Sequence, residues 1–501
     1  MRLQRVRQKR EEKPIGKRKN ILTFQKLSLA FLFVIFLTLF FHFRSIDLEW
    51  RTFYEQLTSS AEAIFGSFFL SLTFAAVSIL YFRINHRHVV ASLQKCALLV
   101  AIVVLSLLFA KGTELAVKAL GQQAIGFLRF PIFIPFTALL ISLLVGREIS
   151  LFVSSFVAIV LCMTVAKTPD SFLITNLIAA LVTILSARYM RRRKEVFLVC
   201  LQAWMATAAV VFGYHLVKGR IWNVDLGADL AMTFAYFFVT ALLVVAVLPV
   251  LEWMFKVMTD IKLMEYMDPQ NVLLSRLSLE APGTYQHSLV IGNLAERAAV
   301  AVGASGLFCR ISALYHDIGK LSNPRYFAEN QMGGFNMHQL LTPQESANVI
   351  IEHIQEGELL AKKHNLPESF IDIIKQHHGT TLVYYFYCRA KQQDPIFNEQ
   401  EFRYPGPKPQ TREAAIMMIA DAVEAASRCL DEVTEESIHK LIEEIVEGKI
   451  SDGQFDECPL TFKELKRVKE ILIKTLLIAS HLRVKYQPRV KEKESILEPI
   501  P

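Results

Sequence analysis

The chain has 501 residues, enough for several domains, and 52% of them are hydrophobic with a mean hydropathy of +0.33. This hydropathy is high for a soluble protein and excludes a wholly soluble chain. Much of the net charge of +8 lies in a basic N-terminal arm, which would sit against anionic headgroups. We therefore expect the lipid bilayer as a partner, and neither DNA nor RNA.

Apolar runs fill the chain up to about residue 255, and a charged composition follows. A spanning helix needs about 20 mostly apolar residues. The first run is not a cleaved signal peptide, because its apolar core is too long and no small-residue cleavage site follows it. The sequence predicts about eight spans, of which the third and fifth are short: 24–43, 64–82, 94–109, 128–145, 150–165, 171–190, 197–217 and 230–254.

Basic residues in short loops predict the orientation of this bundle. The N-terminal arm, the loop "RINHRH" and the loop "RYMRRRKE" are all basic, and eight spans would place them on one side, the cytoplasm. An even number of spans returns the chain to that side. The sequence thus predicts four regions: a cytoplasmic arm 1–23, a membrane domain 24–255, a cytoplasmic domain 256–485 and a C-terminal tail 486–501.

The spans themselves carry few ionisable groups, which disfavours a transporter or pump. Asn176 and Gln202 are polar but neutral, and Glu148 and Asp170 lie at span ends. The bundle is better interpreted as an anchor that also receives a signal. The seven cysteines have no C-x-x-C spacing, so we expect reduced thiols.

The cytoplasmic half contains a series of histidines and aspartates within helix-like apolar patterns. In "LYHDIGK", His316 and Asp317 are adjacent where core residues are expected. Burying such groups without a partner is unfavourable, and imidazoles with carboxylates suit Fe, Mn, Zn or Ni. Two ions about 3.5–4 Å apart form a clamp for attack on phosphorus. The sequence therefore predicts a metal centre from seven residues: His287, His316, Asp317, His353, His377, His378 and Asp421.

A single histidine such as His353 is more often solvated or a helix cap than a ligand. We leave four others under that interpretation: His338, His364, His439 and His481. The adjacent pairs are much harder to explain as packing.

The order His…His-Asp…His…His-His…Asp resembles the HD superfamily of metal-dependent phosphohydrolases. More narrowly, the chain resembles the bacterial seven-transmembrane HD phosphodiesterases, which cleave cyclic di-AMP. Residues 277–428 carry the resemblance, in stretches such as "LSLEAPGTYQHSLVIGNLAE", "ISALYHDIGKLSNPRYFAENQ" and "QHHGTTLVYYFY". The resemblance implies an all-α fold, with a polytopic membrane bundle in the bacterial inner membrane followed by an all-helical cytoplasmic HD domain.

The resemblance also implies roles for single residues. One of two divalent ions, usually iron or manganese, would be held by His287, His316, Asp317 and Asp421. Asp317 would bridge to a second ion, which His353, His377 and His378 complete. Lys320 is expected to meet a phosphate oxygen, with Arg428 as a weaker candidate that is equally well explained as a surface charge. The aromatic run at Tyr384 would offer base stacking to a cyclic dinucleotide, with helix packing as the alternative for part of the run.

Two departures from the family pattern and two alternative functions accompany the resemblance. Family members usually carry a large extracytoplasmic domain after the first span, where this chain has only about twenty residues at 44–63. Met337 and Gln339 replace the Pro and Asp of the usual Asn-Pro-His-Asp pattern. The alternative functions are hydrolysis of another nucleotide, such as cyclic di-GMP or an alarmone, and a non-catalytic nucleotide receptor. A homodimer stays open as an assembly state.

Overall fold

The computed structural model describes residues 15–43, 61–120, 130–165, 169–219, 224–331, 336–393, 397–430, 432 and 434–481. The chain forms two compact units, residues 1–262 and 263–501. Among the described residues, the β pairing is limited to one isolated bridge between Leu382 and Arg403. The prediction of an all-α fold is confirmed. Most of the arm 1–23, most of the loop 44–63 and the tail 486–501 lie outside the described residues.

Apolar helices build the first unit. Seven of them are long and apolar enough to cross a membrane, because each has at least 18 residues and so rises about 27 Å or more. In chain order the helices are α1 (Ile15–His42), α2 (Ala61–Asn85), α3 (Arg87–Ala91), α4 (Leu93–Ala119), α5 (Ile134–Leu144), α6 (Arg147–Thr164), α7 (Pro169–Ser186), a 3₁₀ turn (Ala187–Tyr189), α8 (Glu195–Val217) and α9 (Val224–Met254). The short α3 and α5 do not belong to the seven.

The prediction of a full helical span at 128–145 is wrong. The helix there is α5, whose 11 residues rise only about 16 Å against a hydrocarbon thickness of about 30 Å. Pro131 and Pro135 account for the late start, since proline lacks the N–H that would continue a helix backwards. The signal was present in the sequence, but mean hydropathy does not register it.

The start of α5 is buried, so its free backbone groups need partners. Asn176 of α7 supplies them from the neighbouring helix. Its Oδ1 accepts from the amides of Phe133 at 3.1 Å and Ile134 at 3.3 Å, and its Nδ2 donates to the carbonyl of Pro131 at 2.8 Å. Asn176 itself is fully buried. This polar side chain therefore makes an irregular segment tolerable inside an apolar bundle.

The two basic loops that set the predicted orientation meet Lys26 of α1 at one end of the first unit. It is the end at which α9 finishes. Three contacts show this: Lys26 Nζ donates to Ala91 O at 2.6 Å, the Gln94 amide donates to Phe255 O, and Arg193 Nη2 lies 3.5 Å from Glu252 Oε2.

The second unit is a cluster of shorter helices. They are α10 (Asp260–Glu265, which begins in the first unit), α11 (Val272–Glu280), α12 (Pro282–Ala301), α13 (Gly306–Ala313), α14 (Pro343–Lys363), α15 (Glu368–Gln376), α16 (Tyr384–Gln393), α17 (Arg412–Ser427), α18 (Glu435–Ser451) and α19 (Phe462–His481). Between them lie five 3₁₀ turns: Ile318–Ser322, Pro324–Tyr326, Ala328–Asn330, Met337–Leu340 and Glu399–Phe402.

The core of the second unit holds α12 and α17 in fixed positions. Buried residues of α12, α13, α17, α18 and α19 form one apolar cluster, with Ile291, Ile416 and Val468 fully buried. Helix α14 begins with a capping box in which Thr342 and Glu345 satisfy each other's backbone amides. Such packing fixes the helices that carry the predicted ligands.

Candidate metal centre

The structure brings the seven predicted ligands together. His287 comes from α12, His353 from α14 and Asp421 from α17. The remaining four lie at helix ends: His316 and Asp317 follow α13, and His377 and His378 follow α15. Their ligand atoms form two groups, each within 4.8 Å: His287, His316 and Asp317, and His353, His377 and His378.

Asp317 lies between the two groups. Its Oδ2 is 3.1 Å from His316 Nε2 and 3.7 Å from His287 Nε2. Its Oδ1 is 3.4 Å from His353 Nε2 and 3.6 Å from His377 Nε2. The side chain is only 2% exposed. Each oxygen therefore faces a different pair of imidazoles, which is the arrangement that a carboxylate bridging two ions requires.

Asp421 also reaches both groups. Its Oδ1 lies 3.1 Å from His287 Nε2 and 3.9 Å from His316 Nε2, while its Oδ2 lies 3.5 Å from His378 Nδ1. The family resemblance implies that Asp421 holds the first ion. The geometry adds a contact between Asp421 and the second group.

The imidazoles are oriented by their outer nitrogens. Nδ1 of His316 lies 2.7 Å from Ala313 O, and Nδ1 of His377 lies 2.9 Å from Ile374 O. His353 Nδ1 makes the same kind of contact with its own helix at 2.5 Å. A carbonyl accepts from a protonated Nδ1, so Nε2 of each ring carries the lone pair and faces inward. This pattern is typical of metal-ligating histidines, whose other nitrogen is held by a carbonyl or carboxylate.

Two inner atoms lack hydrogen-bond partners. His316 Nε2 and Asp317 Oδ1 are both buried and unpaired. A buried polar group without a partner costs roughly 1–3 kcal/mol. The two unpaired atoms lie where the seven predicted ligand side chains meet. A divalent cation bound there would give both atoms a partner.

The charge states suit the same interpretation. Burial alone would raise the pKa of Asp317, but the neighbouring His316 and Lys320 outweigh it and hold that pKa well below its usual range. Burial lowers the pKa of His353 to about 4, and burial beside His377 lowers the pKa of His378. An ionised carboxylate and neutral imidazoles are the forms that bind transition metals.

His287 differs from these rings. Burial opposes its charge, yet hydrogen bonds to Asp421 and Glu424 raise its pKa to about 9. Its Nδ1 lies 2.5 Å from Glu424 Oε2. Glu424 was not predicted from the sequence, although it lies one helical turn after Asp421 and so shares its face of α17. That spacing is a signal that sequence reasoning could have used.

Backbone contacts set the spacing of the two groups. A Cβ at Gly319 would lie 1.8 Å from His353 O, so only glycine lets the turn after Asp317 touch α14. Gly379, directly after His378, has φ +54° and a Cβ there would meet the Gln454 side chain. Both glycines therefore hold ligand-bearing segments close to their neighbours.

Lys320 is placed beside Asp317 and is ion-paired twice. Its Nζ lies 2.8 Å from Asp317 Oδ2 and 2.7 Å from Glu329 Oε1, and it lies over the Phe327 ring at 4.8 Å. Burial opposes its charge, but these two carboxylates raise its pKa. Lys320 thus contributes a fixed positive charge at the edge of the cluster.

Arg428 and Tyr384 lie further out. Both Arg428 donors bond Glu424 Oε1, at 2.9 and 2.5 Å, so Arg428 is coupled to His287 through Glu424 rather than being a free surface charge. Tyr384 is 69% exposed on α16 and stacks on Tyr387 at 6.3 Å. Among the described residues, no hydrogen bond, ion pair or ring contact joins Tyr384 to the His/Asp cluster.

Two residues of the surrounding shell were missed by sequence reasoning. The Tyr404 ring stacks on His378 with centroids 4.3 Å apart. The buried Gln454 accepts from Thr380 N at 3.0 Å and donates to Thr380 Oγ1 at 2.9 Å, which fixes the turn after His378. Both contacts join distant segments, and no local pattern marks either residue.

The four histidines left as ordinary residues lie outside the cluster or are not described. His338 is buried, but Nε2 contacts Tyr326 O at 2.8 Å and its ring packs on Phe386. His364 is the C-cap of α14, and His439 is exposed on α18. The side chain of His481 is not among those described.

Comparison with known families gives two matches. Residues 61–259 match the family described as 7TM receptor with intracellular HD hydrolase, and residues 284–426 match the HD domain. The second match contains all seven proposed ligands.

Two curated relatives are similar to about half of the chain. A 270-residue segment is 42% identical to the cyclic-di-AMP phosphodiesterase PgpH of Bacillus subtilis, covering 54% of this chain and 38% of that protein. A 242-residue segment is 44% identical to the protein of the same name from Listeria monocytogenes, covering 48% of this chain and 34% of that protein. The match therefore spans only about a third of the length of these curated relatives.

A solved structure from Listeria monocytogenes is also similar. It is the crystal structure of the phosphodiesterase PgpH HD domain in complex with cyclic-di-AMP. It is 45% identical and covers 42% of this chain and 99% of the solved chain, with a TM-score of 0.42.

Proposed function

We propose that this chain hydrolyses cyclic di-AMP to linear 5′-pApA. The premise is that its membrane region matches that of 7TM receptors with an intracellular HD hydrolase, and that its HD domain is homologous to cyclic-di-AMP phosphodiesterases. The observation that carries the proposal is Asp317, whose two oxygens face two different groups of histidines. Such a site is suited to two ions and one phosphodiester between them.

The residues of this chain would hold the ions as follows. His287, His316 and Asp421 face one side of Asp317, and His353, His377 and His378 face the other. Bound divalent ions would supply Lewis-acid activation of water and of the phosphoryl oxygens. We expect iron or manganese, the ions that the resemblance to the HD phosphodiesterases implies, among the several transition metals that imidazole and carboxylate ligands accept.

The chain's own groups would orient the substrate around the ions. Lys320 stands 2.8 Å from Asp317 with its charge fixed by Glu329, so it can favour an anionic phosphodiester at the edge of the cluster. Arg428 would act mainly on His287, through Glu424. The exposed ring of Tyr384 would offer a stacking face to an adenine.

We further propose that the second unit lies in the cytoplasm of a bacterial cell, below the inner membrane. The basic loops lie at the end of the bundle where α9 finishes, and basic loops favour the cytoplasmic side. The catalytic region would then be 256–485, as the sequence predicts. Mass measurement of the purified protein would show whether it forms a homodimer.

The experiment uses the full chain, purified in lipid nanodiscs and loaded with Mn or Fe(II). Cyclic di-AMP, cyclic di-GMP and a nucleotide alarmone are offered at equal concentration, and products are separated by chromatography. We expect cyclic di-AMP to be opened to the linear dinucleotide and chelation to abolish the reaction. His353→Ala should be inactive, whereas the exposed His439→Ala should match the parent.

Two results would replace the proposal. Faster cleavage of cyclic di-GMP or the alarmone would assign another nucleotide substrate. Tight binding of cyclic di-AMP by the metal-loaded protein without any turnover would assign a receptor.

A further inference from the structure

A cavity of about 500 Å³ lies within the membrane unit, between α1, α2, α4 and α6. Its walls are mostly apolar, with Phe33, Ala75, Val103 and Phe156 among the residues that line it. The volume is within the range of small-molecule sites. The HD chemistry does not use this cavity.

The polar groups of the lining are distributed unevenly. Among the residues that the structure describes, the charged side chains that line the cavity are Lys26 of α1 and Arg83 of α2, with no carboxylate beside them. Lys26 Nζ donates to the carbonyl of Ala91, the last residue of the short helix α3 between α2 and α4. Lys26 and Arg83 therefore mark one end of the cavity, the end where the basic loops of the bundle meet.

Neither cation is neutralised within the part of the chain that the structure describes. Neither Lys26 nor Arg83 forms an ion pair with another described residue, and Arg83 is exposed. A cation at a membrane surface attracts anionic headgroups, and long basic side chains place their charge at the interface while their stems lie along apolar surface.

We propose that this cavity binds an anionic phospholipid, with an acyl chain between α1, α2, α4 and α6 and the headgroup phosphate at Lys26 and Arg83. Charge complementarity selects this occupant, since an apolar slot with two cations at one end, neither of them ion-paired within the described residues, matches an acyl chain that ends in a phosphate. The described cysteine Cys96 also lines the slot and offers a local reporter.

The test uses the full chain in nanodiscs containing a trace of phosphatidylglycerol with a photoactivatable acyl chain. Adducts are mapped by mass spectrometry, so the readout needs no catalysis and cannot fail together with the enzymatic proposal. We expect adducts on cavity residues such as Phe33 and Val103, several-fold above those given by phosphatidylcholine with the same acyl chain.

Three variants sharpen the result. Lys26→Gln combined with Arg83→Gln should reduce labelling by roughly tenfold or more, since each cation near the surface contributes about fivefold. Arg87→Gln removes a nearby cation that does not line the cavity and should leave labelling unchanged. Ser78→Phe should reduce labelling by filling the slot, independently of charge.

Three outcomes would overturn the proposal. One is equal labelling by the two lipids in the parent protein. Another is adducts concentrated on lipid-facing residues outside the cavity, such as Leu108 or Leu185. The third is displacement of the labelled lipid by an equal amount of free fatty acid, which would identify a different occupant.

Discussion

Both units of this molecule bury polar side chains, but they use them differently. In the membrane unit, buried hydroxyls such as those of Thr164, Thr183 and Thr207 donate to the carbonyl four residues earlier in their own helix. In the second unit, which contains the HD domain, imidazoles contact their own helices through Nδ1 and turn Nε2 toward the centre of the His/Asp cluster. A buried polar group therefore indicates chemistry only where several converge and their inner atoms lack partners.

Asp317→Asn tests the convergence most strongly. The amide keeps the shape of the side chain but loses the charge that faces both histidine groups, so we expect loss of both metals. Turnover should fall by about 10³-fold or more, as when a central electrostatic group is removed. Metal analysis and initial rates of the full chain measure the two effects. Asp372→Asn, on the exposed face of α15, is the matched control. Full metal content in Asp317→Asn would disprove a bridging role.

Asn176→Leu tests a buried polar group whose use is to pair with the backbone of the membrane bundle. It would leave the amides of Phe133 and Ile134 and the carbonyl of Pro131 without partners, at a combined cost of about 3 kcal/mol or more in the free energy of unfolding. Thermal unfolding in detergent should show this loss. Gln202→Leu, at an exposed position on α8, should change stability by less than about 0.5 kcal/mol. Equal stability of the two variants would contradict the role given to Asn176.

Glu424→Gln should weaken metal binding without removing a ligand. Glu424 holds His287 Nδ1 at 2.5 Å, and loss of such a partner typically lowers metal affinity by roughly 10–100-fold. Titration of metal-free protein should show this shift, while activity at saturating metal recovers. Glu447→Gln, exposed on α18, should behave as the parent. An unchanged metal affinity in Glu424→Gln would mean that Glu424 does not orient His287.

Tyr384→Ala should have the smallest effect. Loss of one stacking face weakens base binding by about 1 kcal/mol, or about fivefold, so KM for cyclic di-AMP should rise while kcat and metal content stay constant. Tyr385→Ala is the matched control, because Tyr385 is 66% exposed beside Tyr384 at 69%. Equal KM values for the two variants would exclude Tyr384 from the binding surface.

Much of the membrane unit could be predicted from hydropathy, because an apolar environment leaves long apolar helices as the main stable element. Seven of the eight predicted spans correspond to such helices. Mean hydropathy did not reveal that α5 is short. The Asn176 side chain that satisfies the backbone at its start lies more than 40 residues later in the chain, outside any local window. The prolines at 131 and 135 carried the local part of that information.

The residues that the structure brings together at the candidate site were recognisable for a different reason. Each interrupts an apolar helical pattern with a group that is unfavourable to bury. Residues that act through them carry no such mark. Gln454 reaches Thr380 across more than 70 residues, and Tyr404 meets His378 from an irregular segment, so only the folded chain shows them.

Gly319 gives the site a fixed width. Because the main chain after Asp317 rests directly against His353 O, the spacing between the two histidine groups is set by backbone atoms that no rotamer change can move. Side-chain rotation alone would therefore do little to adapt the site to ions that need shorter or longer bonds. A descendant of this protein could acquire a new metal preference more readily by exchanging a ligand than by changing a separation that the main chain sets.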